Sequence, residues 1–238
     1  MNVTEFDKNM RALLGESEPW DADGVQIDCG GDIKKALVAL DCTSGALERA
    51  KEIGADLIVT HHPLIFRPLS SIRVSDSVGG RAAFACRAGI SVAAYHTCLD
   101  IVAGGVNDSL AAALGIKNAR PFVPYGRIGT VRQTAFAAFA RRCEKALGVR
   151  AQTALDCGVP VHKIALVSGS GKSEVKSAHE AGADTFVTGE VTHDAMIDCR
   201  EYGMNLLCLT HFATENVVLP FLAEQVKRFV PEVVFYGV

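Results

Sequence analysis

KKALVALDCTSGALERAKEIGADLIVT, residues 34–60, aligns without a gap with HKIALVSGSGKSEVKSAHEAGADTFVT, residues 162–188, when Lys34 is placed against His162. Both copies contain Gly-Ala-Asp at the same place, and both close on Val-Thr. An ungapped match of this length indicates that the chain contains an internal duplication. The unit that is repeated therefore determines the fold of both halves.

The first copy has the pattern of a strand, a helix and a second strand. Residues 35–41 and 56–60 are short apolar runs, which predict buried strands. Between them, residues 44–53 predict a helix that has Ser44 as its N-cap and stops at Gly54. Strands that alternate with helices at this spacing predict an α/β fold with a mainly parallel sheet. The expected fold is therefore α/β, with two internally duplicated halves.

The boundary between the halves is expected near residues 117–130, KNARPFVPYGRIGT, which contain two prolines and two glycines. The first half would then be residues 1–122 and the second half residues 123–215. The tail, residues 216–238, ends in the strand-like VVFYGV and is expected to pack on the first half.

Composition and charge exclude several classes of protein. A formal net charge of -3 argues against a nucleic-acid binder, which needs clustered Lys and Arg. The N-terminus lacks the order of a signal peptide, in which a basic segment precedes an apolar one. No apolar run reaches the roughly 18 residues that a membrane helix needs. None of the eight cysteines forms a C-x-x-C pair, so zinc-ribbon and thioredoxin sites are excluded. A cytoplasmic protein is expected.

Histidines and carboxylates follow the predicted strands of both halves. His61 and His62 come directly after residues 56–60, and in an open α/β sheet ligands gather at the carboxyl ends of strands. Neighbouring residues of an extended chain point in opposite directions, so these two imidazoles would serve two ions more easily than one. A structural role for one of them, in a capped loop, is the alternative.

The duplication also supplies two H-x-x-x-(D/E) segments, each after a predicted strand. They are His96 to Asp100 and His211 to Glu215. Carboxylates can bridge divalent ions, and imidazoles are ligands for Zn, Fe, Ni or Mn. A carboxylate that merely caps the following helix is the alternative for either segment alone. Together with the histidine pair, the two segments favour a site for two divalent ions. Because each half supplies only part of the ligand set, this metal site is expected between the two halves.

The five candidate ligands are His61, His62, Asp100, His211 and Glu215, and His96 is expected to have a different role. It matches His211 in the repeat, but we expect it to carry protons or to support the ligands rather than to bind the ion directly. Glu190 stands where His62 stands in the first copy, and His193 follows the same strand, so both are expected only to support the site.

Two features of the sequence suggest contacts with phosphate. Gly169-Ser-Gly-Lys-Ser173 resembles the end of a phosphate-binding loop, but Leu166 stands where that motif needs its first glycine. The loop could still hold an anion at a helix start, although such a turn is more often only a turn. The other feature is a set of three arginines that are possible phosphate contacts, Arg67, Arg73 and Arg127. For each of them an ordinary surface position is the stronger expectation.

The chain resembles the Nif-three-like dinuclear metal-centre family, often labelled GTP cyclohydrolase 1 type 2 homologues. The matching segments, in order, are GADLIVTHHPLIF, AAYHTCLDIVAGGVND, YGRIGT, VSGSGKSEV with GADTFVTGE, and LTHFATE. The resemblance implies two interlinked α/β halves, two metal ions and a ring-shaped homohexamer. It places the metal ligands on His61, His62, Asp100, His211 and Glu215. Cys98 stands where the family usually has Asn or Ala, and Thr210 where it usually has Gly.

Two functions are compatible with this resemblance. The first is a metal-dependent hydrolase that acts on a nucleotide or related heterocycle, with His96 as the proton carrier. The second is a non-catalytic metal-binding scaffold or regulatory interaction protein. Open coordination positions facing a cleft would favour the enzyme, and a closed sphere would favour the scaffold.

Overall fold

A computed structural model describes residues 1–237 of the chain. Contacts within the chain divide it into two units. The first unit consists of Met1–Val102 together with Leu219–Val238, and the second unit is Ala103–Val218. No helix within residues 1–237 has the length and apolar character that crossing a bilayer requires.

After an initial helix and strand, strands and helices alternate in the first unit from residue 35 to residue 102. In chain order they are α1 (Val3–Leu14), β1 (Gly24–Ile27), β2 (Lys35–Ala39), α2 (Ser44–Glu52), β3 (Leu57–Thr60), α3 (Ser77–Ala88), β4 (Ser91–Ala94) and α4 (Thr97–Ile101). The N-cap of α2 is Thr43 rather than the expected Ser44, because the Thr43 hydroxyl accepts a hydrogen bond from the Ala46 N–H at 3.1 Å. The predicted strand–helix–strand path is confirmed.

The second unit repeats the alternation and adds a hairpin and a helix before it. Its elements are α5 (Val106–Ala113), β5 (Lys117–Val123), β6 (Gly126–Thr134), α6 (Phe136–Leu147), β7 (Thr153–Leu155), β8 (Val161–Ser170), a 3-10 turn (Lys172–Glu174), α7 (Val175–Glu180), β9 (Thr185–Glu190), α8 (His193–Glu201), β10 (Asn205–Cys208) and α9 (His211–Asn216). The chain then returns to the first unit through α10 (Leu219–Lys227) and β11 (Glu232–Tyr236).

The sheet of the first unit has the order β1-β4-β3-β2-β11. The strand β11 pairs in parallel with β2 from Glu232 opposite Lys35 to Tyr236 opposite Ala39, so the C-terminal tail adds a strand to this sheet. The pairs β2–β3 and β3–β4 are also parallel, and only β1 runs antiparallel at the edge. Every residue of β3 and β4 is buried, as is usual for parallel strands that are covered on both faces.

The sheet of the second unit has the order β5-β6-β8-β9-β10-β7. Its first two strands are a hairpin whose turn lies at residues 124–125. This hairpin occupies the segment 117–130 that the sequence suggested as the break between halves. Because β5 pairs with β6 inside this sheet, the division between the units falls at Val102 and Ala103 rather than after residue 122.

The two sheets share the order expected from an internal duplication. The order β1-β4-β3-β2 in the first unit corresponds to β7-β10-β9-β8 in the second. In each copy, the aspartate just before the second strand accepts a hydrogen bond from the backbone N–H of the residue that begins the first strand or lies near its start. The Lys35 N–H donates to Asp56 at 3.0 Å, and the Lys163 N–H donates to Asp184 at 2.7 Å. The duplication is therefore confirmed in sheet order and in hydrogen bonding.

The repeat extends further back than the aligned segments. Asp28-Cys29-Gly30 and Asp156-Cys157-Gly158 form the same turn, in which the aspartate accepts a hydrogen bond from the glycine N–H at 2.8 Å. The two segments stand at the same offset as the aligned copies. Both turns follow the antiparallel edge strand of their sheet. This strand therefore belongs to the duplicated segment and occurs in both units.

The parallel strands place the chemically active residues at one edge of each sheet. Asp41, His61 and His96 lie within two residues of the ends of β2, β3 and β4. Glu190 is the last residue of β9, and His211 follows β10. Carboxyl ends of adjacent parallel strands meet at the same edge, so each unit gathers its histidines and carboxylates there.

Candidate metal centre

The histidine pair of the first unit is oriented by two oxygen atoms. His61 is completely buried, and its Nδ1 lies 3.2 Å from the Tyr95 carbonyl oxygen. The Nδ1 of His62 lies 2.9 Å from the Asp41 carboxylate. Both oxygens only accept, so each Nδ1 carries the hydrogen and each Nε2 carries the lone pair that can bind a metal.

The rings of His61 and His62 lie side by side, with centroids 4.8 Å apart. From the sequence, the two rings were expected to point in opposite directions, because that is the geometry of neighbouring residues in a strand. The strand β3 ends at Thr60, so this alternation does not extend to the two histidines. This expectation was wrong, and both imidazoles belong to the same cluster.

His96 stands at the start of α4 and is held by two aspartates that sequence reasoning missed. Its Nδ1 lies 3.0 Å from the Asp21 carboxylate, and its backbone N–H donates to Asp23 at 2.7 Å. The Asp21 side chain is fully buried. Burial raises the pKa of Asp21, but hydrogen bonds from His96 and Thr97 outweigh it and leave the pKa below its ordinary value. Asp21 is therefore a buried carboxylate that remains ionised.

Three imidazoles of the first unit converge. His61, His62 and His96 each have a ring nitrogen within 4.8 Å of the others. One helical turn after His96, Asp100 brings its Oδ1 to 3.8 Å from the His61 Nε2. The structure thus brings His96 as close to the cluster as the histidines that were predicted to be ligands.

The second unit forms a smaller group at the start of α9. The His211 Nδ1 lies 2.8 Å from the Glu190 carboxylate, and its Nε2 lies 3.1 Å from the Glu215 Oε1. Glu190 thus has the supporting position expected for it. Thr210 precedes the histidine with φ 75°, in the left-handed region that favours glycine. Its hydroxyl accepts a hydrogen bond from the Ala213 N–H at 3.1 Å, which stabilises the helix start at this unusual conformation.

Two glycines make room for this group. A Cβ atom at Gly169 would lie 3.0 Å from the His211 Nε2 and closer still to the Glu215 Oε1. A Cβ atom at Gly189 would lie 2.7 Å from the His211 Cα and 2.7 Å from the Thr214 hydroxyl. The absence of side chains at Gly169 and Gly189 therefore lets α9 lie close to the sheet.

The same turn does not offer its glycine N–H groups to an anion. The Gly169 N–H donates to the Thr214 hydroxyl at 3.0 Å, and the Gly171 N–H donates to the Thr188 hydroxyl at 2.9 Å. Because both donors are bound inside the protein, the possible anion-binding role of these two glycines is not supported.

Arg127 is a buried residue and not the surface residue that was expected. Its guanidinium donates two hydrogen bonds to Asp108, at 2.6 Å and 3.2 Å, and it is only 3% exposed. Burial raises the pKa of Asp108, but the hydrogen bond from Arg127 outweighs it, so the pKa lies below its ordinary value. The pair stabilises the packing of α5 on β6 inside the second unit.

The donor chemistry fits a divalent transition metal. Imidazole nitrogens and carboxylate oxygens are the ligands that Zn, Fe, Mn and Ni take in proteins. The Nδ1 atoms of His61, His62, His96 and His211 each face a carbonyl or carboxylate oxygen, which is the usual arrangement behind metal-binding histidines. These residues form groups that could bind a metal ion.

Asp21 and Asp41, the carboxylates behind two of these histidines, were not singled out from the sequence. The sequence contained one usable signal for Asp41, which is that this residue follows a buried strand next to β3. Asp21 gave none, since it lies 75 residues before His96 in an irregular segment. His193, which was expected to support the site, instead lines a surface pocket with Met196 and Arg200.

Comparison with known proteins places the chain in a family. A protein of Clostridium perfringens called GTP cyclohydrolase 1 type 2 homolog is 35% identical, over 96% of this chain and 86% of its own length. A solved structure called protein ybgI, of unknown function, has a TM-score of 0.93 at 25% identity and covers 100% of this chain and 98% of its own. A Bacillus cereus protein related to NIF3 has the same fold, with a TM-score of 0.90 at 20% identity over 100% of this chain and 97% of its own.

The family model that describes Duf34/NIF3 (NGG1p interacting factor 3) matches residues 1–237. A match over this length, together with the curated relatives, confirms the family that the histidine and carboxylate motifs predicted. The chain belongs to the Duf34/NIF3 family.

Proposed function

We propose that this chain is a metal-dependent hydrolase that acts on a nucleotide or a related heterocycle. The observation that carries the proposal is the convergence of His61, His62 and His96, whose Nδ1 atoms are all engaged by fixed oxygen atoms. A purely structural cluster has no need to direct three imidazole Nε2 atoms in this way. The name GTP cyclohydrolase 1 type 2 homolog, given to the relatives, supports the choice of substrate class.

The proposal assigns metal ligands in each unit. They are His61, His62 and Asp100 in the first unit, and His211 and Glu215 in the second, for two divalent ions per chain. Bound ions of this kind polarise substrate oxygens and make water more acidic, which promotes hydrolysis near neutral pH. Zn, Fe, Mn and Ni, the four metals that the sequence suggests, all bind imidazole nitrogen and carboxylate oxygen atoms.

His96 is proposed as the group that carries protons between water and substrate. The buried carboxylate of Asp21 accepts the hydrogen bond from its Nδ1, so protonation would occur at Nε2. Because the pKa of Asp21 lies below its ordinary value, this carboxylate stays charged and would stabilise the protonated ring. A histidine held in one tautomer by a buried aspartate is suited to act as an acid and a base in turn.

Metal analysis combined with a substrate screen tests the proposal. Purified protein should bind about two divalent ions per chain. The double variant His61→Ala, Glu215→Ala should lose most of them, whereas His179→Ala should keep them, since the His179 ring stacks on Tyr202 and is not among the proposed ligands. Unchanged metal content in the double variant would disprove the ligand assignment.

The screen should use nucleotides and phosphoesters, with and without a chelator. Hydrolysis that disappears with the chelator and returns with added metal supports the enzyme. Metal-loaded protein that turns over none of these compounds would disprove a nucleotide hydrolase and leave a metal-binding scaffold as the function.

We also propose that the chain forms a closed homohexamer, as the family resemblance implies. Closed symmetric assemblies are the usual form of soluble homo-oligomers. Light scattering should give a mass of six chains, and a monomer at working concentration would disprove the ring.

A further inference from the structure

Two exposed aromatic side chains lie beside the histidine cluster of the first unit. Trp20 is 61% exposed and Phe66 is 47% exposed. Their ring centroids are 6.3 Å apart in an edge-to-face arrangement, and Phe66 makes a second edge-to-face contact with His96 at 6.3 Å. The aromatic surface therefore adjoins the residue proposed to carry protons. Side chains of this size are usually mostly buried, so a large exposed pair next to a chemical site needs an explanation.

The aromatic pair is held in place by its neighbours. The Gln26 Nε2 donates to the Ala22 carbonyl at 2.6 Å, and the Gln26 Oε1 accepts from the Ile65 N–H at 2.6 Å. One side chain thus joins the segment that carries Trp20 to the loop that carries Phe66. The rings are organised before any ligand arrives, which reduces the entropy lost on binding.

The segment that carries Trp20 is also tied to the site. Asp21, the next residue, accepts hydrogen bonds from the His96 ring and from the Thr97 N–H. The Glu18 N–H donates to the Thr97 hydroxyl at 3.0 Å. Trp20 is therefore fixed on both sides to the start of α4, although its own side chain extends into solvent.

We propose that Trp20 and Phe66 form one wall of a subsite that binds a planar heterocyclic ring, such as a purine base, next to His96. This inference rests on the proposed function and adds the residues that would recognise the ring. Aromatic side chains hold flat rings by stacking, which requires an exposed π face and tolerates different bases. A second copy of the chain is the other possible occupant of this surface, and the experiment below separates the two.

Trp20 is the only tryptophan in the chain, so its fluorescence reports on this surface alone. The intact, metal-loaded protein is titrated with GTP and with guanosine, and ribose 5-phosphate serves as the ligand without a base. Excitation at the red edge of tryptophan absorption avoids absorption by guanine. Saturable quenching by GTP and guanosine, with none by ribose 5-phosphate, is the expected result.

Variants then assign the contact to the aromatic pair. Phe66→Leu keeps an apolar side chain, removes the aromatic face and leaves Trp20 as the probe. Its dissociation constant for GTP should rise between about 5-fold and about 100-fold, the usual effect of losing one stacking partner. Ile72→Ala removes an equally exposed apolar side chain outside the pair and should leave binding unchanged. Trp20→Leu, followed by calorimetry, should weaken GTP binding in the same range.

Three results would overturn the subsite. The first is unchanged fluorescence up to millimolar GTP. The second is equal affinity in the wild type, Phe66→Leu and Ile72→Ala proteins. The third is emission that shifts with protein concentration alone, because this would show that a second copy covers Trp20.

The fluorescence assay measures binding and does not depend on turnover. The aromatic subsite and the hydrolase activity can therefore be disproved independently. Quenching by GTP without any hydrolysis counts against the hydrolase and supports the subsite. Hydrolysis of GTP that Phe66→Leu leaves unchanged, with no quenching, supports the hydrolase and overturns the subsite.

Discussion

Replacing Gly169 with alanine should weaken metal binding by the proposed ligands His211 and Glu215 while leaving the fold intact. The added Cβ would lie 3.2 Å from the Glu215 Cδ and 3.0 Å from the His211 Nε2, and it would press on the Glu215 Oε1 inside the 3.0 Å that real Cβ atoms keep. Glu215 is only 4% exposed, so its carboxylate cannot move aside into solvent. Both proposed ligands must therefore shift.

The size of the effect follows from two separate terms. The first is backbone strain, because Gly169 has φ 57° and an L-residue there costs about 1–2 kcal/mol. For a chain of this size this lowers the melting temperature by roughly 2–8 °C. The second is ligand displacement, since metal sites tolerate deviations of only about 0.2 Å. Losing even a supporting partner weakens metal binding about 10-fold to 100-fold, and a displaced ligand should cost at least that.

A matched control separates the two terms. Gly203 lies in the same unit with φ 62°, and a Cβ atom there would meet nothing within 4 Å. Gly203→Ala should therefore show the same loss of melting temperature and no loss of metal. Metal affinity is measured by competition with a chromophoric chelator, and unfolding by circular dichroism. If both variants hold metal as tightly as the wild type, the role given to Gly169 is refuted.

Three further predictions concern single polar side chains. His96→Gln should keep its metal while turnover falls by roughly 10²–10⁴, the usual contribution of an acid–base group; metal loss would make His96 a ligand instead. Glu190→Gln removes the charged acceptor behind His211 and should weaken metal binding about 10-fold to 100-fold, which chelator competition measures and unchanged affinity would contradict. The folded pKa of Asp108 lies below its ordinary value of 3.8, so the stabilisation by its pair with Arg127 is complete above that pH and is lost as the pH falls through the folded pKa. Asp108→Asn should lose stability at neutral pH and lose less on acidification than the wild type, as thermal melts at pH 7 and pH 3 would show; parallel pH dependence would contradict this.

Sequence patterns predicted the elements of both units because those patterns are local. Strands were recognised by short apolar runs, and the ungapped repeat required both copies to fold alike. The carboxyl ends of β3 and β4 deliver His61 and His96 one and two residues after the strand, which spacing alone predicts. The local signals failed at residues 117–130, where Pro121, Pro124 and two glycines predicted the boundary between the halves. Pairing of β5 with β6 instead makes this segment a hairpin inside the second unit.

Residues far apart in the chain could not be paired from the sequence. Asp21 acts on a histidine 75 residues away, and Gln26 accepts a hydrogen bond from the N–H of Ile65, 39 residues away. Burial of Arg127 depends on where Asp108 lies when α5 packs against the sheet. Such contacts depend on the register of strands and the packing of helices, which composition and spacing do not encode.

The amino-acid sequence by itself determined the duplicated α/β fold, the family and the identity of the histidines and carboxylates at the strand ends. Those properties follow from apolar periodicity and from short motifs, in which the interacting residues are neighbours in the chain. Only the tertiary structure decided which oxygen atom orients each imidazole, why Gly169 and Gly189 must lack side chains, and that Trp20 adjoins the site. Each of these depends on distances of a few ångströms between segments that the chain brings together only when its sheets and helices have packed.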